Sequence, residues 1–187
     1  MPRISRIPPP SDSASNQELV QHYIRYRRPI LEIELKEFSR QDTFYAALEI
    51  AVHARNAKGK RFDHQRRLKR HVIPKVWEIS RYREPQLQEC KTFQELFGQI
   101  ESMMNNVPNA GDLYKYDTAL RIGAYLDLAP EKVYLQTGAL EGARRLLPGT
   151  KSRTLPKDAF PKEFQQLSCA EIENLLCAYK GRLKRDG

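Results

Sequence analysis

The feature that most constrains the fold is a helix-start signature that occurs three times along the chain. In a capping box, a Ser or Thr and a Glu three residues later exchange side-chain and backbone hydrogen bonds across the first turn of a helix. The pattern occurs at Ser15–Glu18, Thr92–Glu95 and Ser168–Glu171. We therefore predict helices that begin directly after Ser15, Thr92 and Ser168.

The segments between these signals also have helical patterns. Apolar residues recur at helical spacing in residues 44–59, 64–82, 112–126 and 138–147. A weaker start signal precedes the first of these segments, at residues 39–42. No stretch alternates apolar and polar residues as a half-buried strand would, and no internal repeat is visible. We predict an all-α protein, an irregular globule of about eight helices.

Three details of these helices bear on function. Pro74 lies inside the 64–82 pattern and is expected to kink or divide that helix. Trp77 lies near the apolar face of the same segment, and we expect it to anchor the core. His53 is expected to pack in or beside the core.

Composition divides the chain into four parts. Residues 1–14 hold three consecutive prolines and are expected to be a disordered leader. Residues 15–147 are expected to form a helical core domain. Residues 148–167, rich in Pro and Lys, are expected to be an extended linker. Residues 168–187 are expected to be a C-terminal helix that packs on the core.

The net charge of the 187-residue chain is +9, which favours a polyanionic partner such as nucleic acid. No apolar run approaches the ~20 residues of a membrane span, and the N-terminal segment lacks the apolar core of a secretory signal. Cys90, Cys169 and Cys177 lack a CxxC spacing, which indicates reduced thiols in a cytoplasmic protein. No metal-ligand spacing and no phosphate-binding glycine loop occurs, so we expect neither a metal nor a cofactor.

A basic segment gives the strongest functional signal. Asp63 is the only acidic residue within it, and His64 and His71 add hydrogen-bond donors. Its basic residues are Lys58, Lys60, Arg61, Arg66, Arg67, Lys69, Arg70 and Lys75. Read as a helix, the segment places Arg66 and Arg70 away from the apolar face, where they would contact phosphates. The alternative is a solvated helix face whose charges pair with Glu residues elsewhere.

A short turn follows the helix that begins after Thr92. Pro108-Asn109-Ala110-Gly111 resembles the turn of the helix-hairpin-helix DNA glycosylase superfamily, and the resemblance covers residues 105–128. It implies that the backbone around Asn109 and Gly111 holds a phosphate. Asn109 stands where that pattern has its first glycine, and Asn tolerates a left-handed backbone. The alternative is an ordinary loop between two helices.

Asp117 carries the same resemblance into the next helix. The segment Asp117-Thr-Ala-Leu-Arg-Ile-Gly-Ala-Tyr-Leu-Asp-Leu128 is similar to the superfamily's segment around its catalytic Asp. The resemblance implies that Asp117 stabilises positive charge on the sugar while the base is flipped out. The alternative is an ordinary ion pair between Asp117 and Arg121, one helical turn apart. Asp117 as the N-cap of a helix at a cleft would favour catalysis.

Three functions therefore remain open. Our first prediction is a nucleic-acid-binding protein that contacts the phosphate backbone through a basic helix and a degenerate helix-hairpin-helix. The contacts would come from Lys58, Lys60, Arg61, Arg66, Arg67, Arg70, Asn109 and Gly111. The first alternative is a glycosylase-like enzyme that breaks an N-glycosidic bond with Asp117 as its catalytic carboxylate. The second alternative is an adaptor or inhibitor that binds an acidic protein.

Overall fold

The computed structural model describes residues 7–56, 58–62 and 65–185, and these residues are mostly helical. A two-stranded antiparallel sheet pairs Val133 with Leu155 and Tyr134 with Thr154. The helices are α1 (Asn16–Tyr26), α2 (Arg28–Ser39), α3 (Phe44–Val52), α4 (Val72–Tyr82), α5 (Glu84–Gln88), α6 (Phe93–Asn105), α7 (Asp112–Leu126), α8 (Thr137–Leu146) and α9 (Cys169–Tyr179), and the strands are β1 (Val133–Tyr134) and β2 (Thr154–Leu155). The predicted all-α class is confirmed.

The three capping boxes are all formed. Ser15, Thr92 and Ser168 are the N-caps of α1, α6 and α9, and each side chain accepts a hydrogen bond from the backbone N–H of the Glu three residues later. Each Glu carboxylate in turn accepts a hydrogen bond from the backbone N–H of its cap residue. The reciprocal bonds satisfy donors that helix formation leaves without partners, so these three starts are confirmed.

The chain forms two compact units, and each is described by itself. Unit 1 comprises residues 1–32 and 132–187, and unit 2 comprises residues 33–131. These boundaries fall elsewhere than the four parts expected from composition. Of the expected leader, residues 1–6 lie outside the described residues. Residues 148–167 belong to unit 1, where they carry β2 and two short 3₁₀ helices, Lys157–Ala159 and Lys162–Gln166.

Unit 1 has an apolar core that joins α1, α8, α9 and the small sheet. Phe160 and Phe164, from the segment that we expected to be a linker, are buried in this core. The segment before α1 contacts the end of the chain, since Arg182 donates to the Pro10 carbonyl at 2.9 Å and to Asp12 at 2.6 Å. Contacts between segments that lie far apart in sequence therefore hold unit 1 together.

Helices α8 and α9 of unit 1 approach each other closely at two glycines. A Cβ atom on Gly142 would lie 2.4 Å from the backbone oxygen of Leu176, and one on Gly138 would lie 2.6 Å from the sulfur of Cys177. Glycine at both positions allows the two helices to pack at this distance.

Unit 2 is built from the second half of α2 and from α3 to α7. Helices α6 and α7 pack against each other through aromatic rings, with 6.1 Å between the ring centroids of Phe93 and Tyr116. Helix α7 is fixed to the end of α3 because the buried Tyr114 hydroxyl donates to the Val52 carbonyl at 2.5 Å. Burial of this hydroxyl raises the pKa of Tyr114 above its usual range.

Two helix boundaries differ from the prediction. The signal at residues 39–42 does not start a helix, because α2 runs to Ser39 and the N-cap of α3 is Thr43. Helix α3 ends at Val52 instead of near residue 59, and Ala54 then takes a left-handed backbone with φ of 51°. That conformation turns the chain out of the helix.

The predicted basic helix over residues 64–82 is wrong in its first half. Residues 65–71 form turns, and α4 begins only at Val72; residue 64 lies outside the described residues. Pro74 therefore lies in the first turn of α4, where its missing N–H costs no helical hydrogen bond. Arg66 and Arg70 one turn apart would also repel each other in a helix.

Candidate nucleic-acid interface

We call residues 55–71 the basic loop. In sequence it holds eight Lys and Arg residues and a single acid, Asp63, whereas the rest of unit 2 holds eight basic and thirteen acidic residues. The surplus positive charge of unit 2 is therefore concentrated in one irregular segment that follows α3.

The first part of the basic loop is a tight hairpin. A bridge pairs Arg55 with Arg61, and the Phe62 N–H donates to the Ala54 carbonyl at 2.9 Å. The Asn56 side-chain oxygen accepts from the backbone N–H groups of Lys58 and Lys60 at 3.1 and 3.0 Å. These bonds fix the turn, which leaves the Lys58 and Lys60 side chains exposed and Arg61 half-buried.

The second part of the basic loop is held from within by Gln65. This side chain is buried, and its amide nitrogen donates to the Asp117 carboxylate at 2.5 Å. The residues that follow point their charges outward: Arg66, Arg67, Lys69 and Arg70 are all exposed. The buried Gln65 side chain thus fixes the chain next to four exposed cationic side chains.

Arg121 lies beneath the loop and is almost completely buried, with 2% of its surface exposed. Its Nε and Nη2 atoms donate to one oxygen of Glu34 at 3.0 and 2.9 Å. The guanidinium also stacks on Phe62 of the basic loop, with 4.0 Å between Cζ and the ring centroid. The Phe62 ring therefore attaches the basic loop to the buried guanidinium of Arg121.

Asp117 lies along α7 and does not cap it. The helix begins at Asp112 with Gly111 as its N-cap, so Asp117 is in the second turn. Its carboxylate lies 3.9 Å from Arg121 Nη2, and its side chain is 15% exposed. The expected pair with Arg121 is formed, although Glu34 is the closer partner of that arginine. In this arrangement the Asp117 carboxylate holds the Gln65 side chain and, through it, the basic loop.

The turn between α6 and α7 lies beside the basic loop. Asn109 has a left-handed backbone with φ of 67°, as its position in the predicted turn requires. The His71 side chain at the end of the loop lies 3.2 Å from the Pro108 carbonyl. An open depression of about 330 Å³ is lined by both segments, with Gln65, Arg67, Leu68 and Lys69 on one side and Asn109, Gly111, Leu113 and Tyr114 on the other.

The structure thus brings part of the predicted site together. Arg67, Asn109 and Gly111 line one depression, and the start of α7 adds the positive end of a helix dipole there. The hairpin borders a second depression, which Arg55, Asn56 and Gly59 line. Lys75 is on α4, where it pairs with Glu78 at 2.9 Å, so it does not belong to the loop.

Several residues of the site were missed from sequence. Gln65, Phe62 and Glu34 had no local signal, because each acts through a partner far away along the chain. Lys69 was recognised as one of the basic residues of the segment but was not among the predicted phosphate contacts. Trp77 is half-buried instead of a core anchor, and it lies beside His53 with 5.4 Å between the ring centroids.

Comparison with protein-family models, curated proteins and solved structures found no match to this chain. Among the residues described, no helix is long and apolar enough to cross a membrane. Within the same ranges, no group of three His, Cys, Asp or Glu side chains is arranged to hold a metal ion. The three cysteines are free thiols, and burial raises the pKa of Cys169.

Proposed function

We propose that this protein binds nucleic acid through its phosphate backbone, with the basic loop and the α6–α7 turn of unit 2 as the contact surface. The carrying observation is that four exposed cations within residues 66–70 of the loop follow a buried anchor, Gln65, beside the N-terminus of α7. Such a surface favours phosphate because both side-chain charge and backbone N–H groups face the ligand.

The charge distribution supports this proposal. Local acids are too few to neutralise the loop, since Asp63 is the only one in residues 55–71. Asp112, near the turn, lies 3.6 Å from the Lys115 ammonium, so its charge is partly balanced within α7. A polyanion would therefore meet a surface rich in positive charge and release counterions on binding.

The support beneath the loop strengthens the proposal. Gln65 and Phe62 are fixed by Asp117 and Arg121, so the loop does not have to be ordered entirely by its ligand. Preformed loops lose less conformational entropy on binding than disordered ones do. Burying charge is costly to the stability of the folded protein. The charges buried beneath the loop are therefore better explained by their role in fixing the conformation of the loop than by a gain in stability.

The proposal gives Asp117 a positioning role and includes no catalysis. The carboxylate accepts from Gln65 and lies beside Arg121, within a helix. A carboxylate held in this way stabilises its protein partners, and its position in the second turn of α7 is not the N-cap position expected for catalysis.

The experiment compares two variants with equal loss of charge. In the loop variant, Arg66, Arg67, Lys69 and Arg70 are changed to Gln. In the control variant, four exposed cations of unit 1 are changed to Gln: Lys132, Arg145, Lys151 and Arg185. Each variant loses four charges, which lowers the net charge from +9 to +5. Binding to labelled single-stranded and duplex oligonucleotides is measured by fluorescence anisotropy.

We expect the loop variant to lose at least about tenfold in affinity at moderate salt and the control variant to lose much less. Equal losses in both variants would show that only total charge matters. Absence of binding by the unmodified protein to any nucleic acid would contradict the proposal, and capture of an acidic protein instead would favour the adaptor alternative.

A further inference from the structure

A cluster of aromatic rings lies on α3 and α4 of unit 2, next to the basic loop. Trp77 lies between Tyr45 and His53, at 5.4 Å from each ring centroid. Tyr45 is 43% exposed, and His53 and Trp77 are half-buried. The Arg81 guanidinium lies 5.9 Å from the Trp77 ring centroid. We call Tyr45, His53 and Trp77 the ring cluster.

The ring cluster is continuous with the hairpin of the basic loop. His53 belongs to the cluster and also lines the depression of about 320 Å³ that Arg55, Asn56 and Gly59 of the hairpin border. The hairpin presents Lys58 and Lys60 to solvent from the same turn. Aromatic and cationic side chains therefore occur together along one stretch of surface.

We propose that the ring cluster stacks bases of single-stranded nucleic acid whose phosphates follow the hairpin; this inference rests on the function proposed above. A single strand exposes its base faces, whereas a duplex keeps them stacked inside the helix. Aromatic side chains beside a positive groove are the arrangement by which proteins bind single strands with little sequence preference.

Two polar side chains of the depression are held by the protein's own backbone. The Gln41 amide nitrogen donates to the Glu37 carbonyl at 2.8 Å, and the Asn56 side-chain oxygen accepts from two backbone N–H groups of the hairpin. Glu49 also lines the depression, and its carboxylate repels phosphate. The phosphates of the strand therefore suit the lysines of the hairpin, while its bases suit the ring cluster, of which His53 lines the depression.

Trp77 provides a local reporter because it is the only tryptophan of the chain. The full-length protein is titrated with a short single strand of thymidines and with a duplex of mixed sequence. Trp77 emission and the anisotropy of a label on the oligonucleotide are recorded in the same titration. We expect the single strand to quench Trp77 emission and the duplex to bind without a comparable change.

Substitutions of tyrosine separate stacking from charge. We expect Tyr45→Ala to lower single-strand affinity by between about fivefold and about 150-fold, the range of one base–aromatic stack, and to leave duplex affinity unchanged. Tyr45→Phe, which retains the ring, should retain the affinity. The matched control is Tyr82→Ala at the end of α4, where the exposed fraction is 76%, and it should have no effect.

The outcomes distinguish the two proposals. If both oligonucleotides bind with the salt dependence of phosphate contacts but neither affects Trp77, and Tyr45→Ala changes nothing, then stacking is overturned and phosphate binding stands. Equal effects of Tyr45→Ala and Tyr82→Ala would also overturn stacking. If no oligonucleotide binds, the proposed function fails and stacking fails with it.

Discussion

The two units of this protein each contain one contact that limits what can be substituted there, and the two contacts differ in kind. In unit 1, α8 and α9 pack so closely that Gly142 leaves no room for a Cβ atom against the Leu176 carbonyl. Among the described residues of unit 2, the largest fully buried side chain is that of Arg121, which is paired with Glu34 beneath the basic loop. The contact in unit 1 is a close approach of two helices, whereas the contact in unit 2 is an ion pair with a buried arginine.

The difference indicates where each unit needs a defined shape. Close apolar packing stabilises helices, which already have their own hydrogen bonds. An irregular loop lacks such bonds and needs specific partners, and in unit 2 these are the Arg121 guanidinium and the Asp117 carboxylate. The buried Arg121 of unit 2 therefore lies next to the part of the chain that is least regular and most basic.

The largest effect should come from removing the buried charge of unit 2. We expect Arg121→Ala to lower the free energy of unfolding by about 3–5 kcal/mol, because it leaves Glu34 without its partner and opens a cavity beneath Phe62. Urea unfolding measures the loss. Arg83→Ala, at an exposed arginine, is the control and should be close to neutral.

A double variant tests whether charge or volume is responsible. Arg121→Met combined with Glu34→Gln removes both charges and retains an apolar side chain, so it should be more stable than Arg121→Ala. A loss below about 1 kcal/mol for Arg121→Ala would contradict the view that this arginine supports unit 2.

The next effect concerns the glycine contact of unit 1. We expect Gly142→Ala to lower the free energy of unfolding by about 2 kcal/mol, because overpacking against the backbone outweighs the better helix propensity of Ala. Gly98→Ala is the matched control, since a Cβ atom on Gly98 of α6 would meet nothing within 4 Å. It should raise stability by about 0.5–1 kcal/mol. A neutral or stabilising Gly142→Ala would refute the close packing.

A smaller effect on stability, with a specific effect on the basic loop, is expected at Asp117. Asp117→Ala leaves the buried Gln65 amide without its acceptor, at a cost of about 1 kcal/mol. Amide hydrogen exchange in residues 65–71 should accelerate more than exchange in unit 1, and nucleic-acid affinity should fall. Asp117→Asn retains an acceptor for Gln65 and should restore most of the affinity. Full affinity in Asp117→Ala would contradict the positioning role.

Local patterns predicted the parts of this fold that depend on local contacts. The capping boxes at Ser15, Thr92 and Ser168 marked three helix starts because both partners of each bond lie in one turn of chain. Asn109 was expected to tolerate a left-handed turn, and it adopts one. These features depend on neighbouring residues alone.

The parts that depend on distant contacts were not predictable in this way. Apolar spacing from Leu68 to Ile79 fits a helix, yet the chain before Val72 forms turns, and Gln65 and Phe62 of the loop contact residues of α7. The basic surface was predicted from charge alone. The sequence therefore identified the cationic residues but not the conformation of the chain that carries them. Burial of Arg121 depends on Glu34, 87 residues away.

The most direct test of phosphate binding by the basic loop is the slope of log K against log salt for a duplex oligonucleotide. We predict that the variant with Gln at residues 66, 67, 69 and 70 has a slope shallower by about 3 to 4 than the unmodified protein, because each phosphate contact contributes about 0.9. The four-cation control in unit 1 should retain the original slope. Equal slopes for the loop variant and the unmodified protein would contradict binding through this loop.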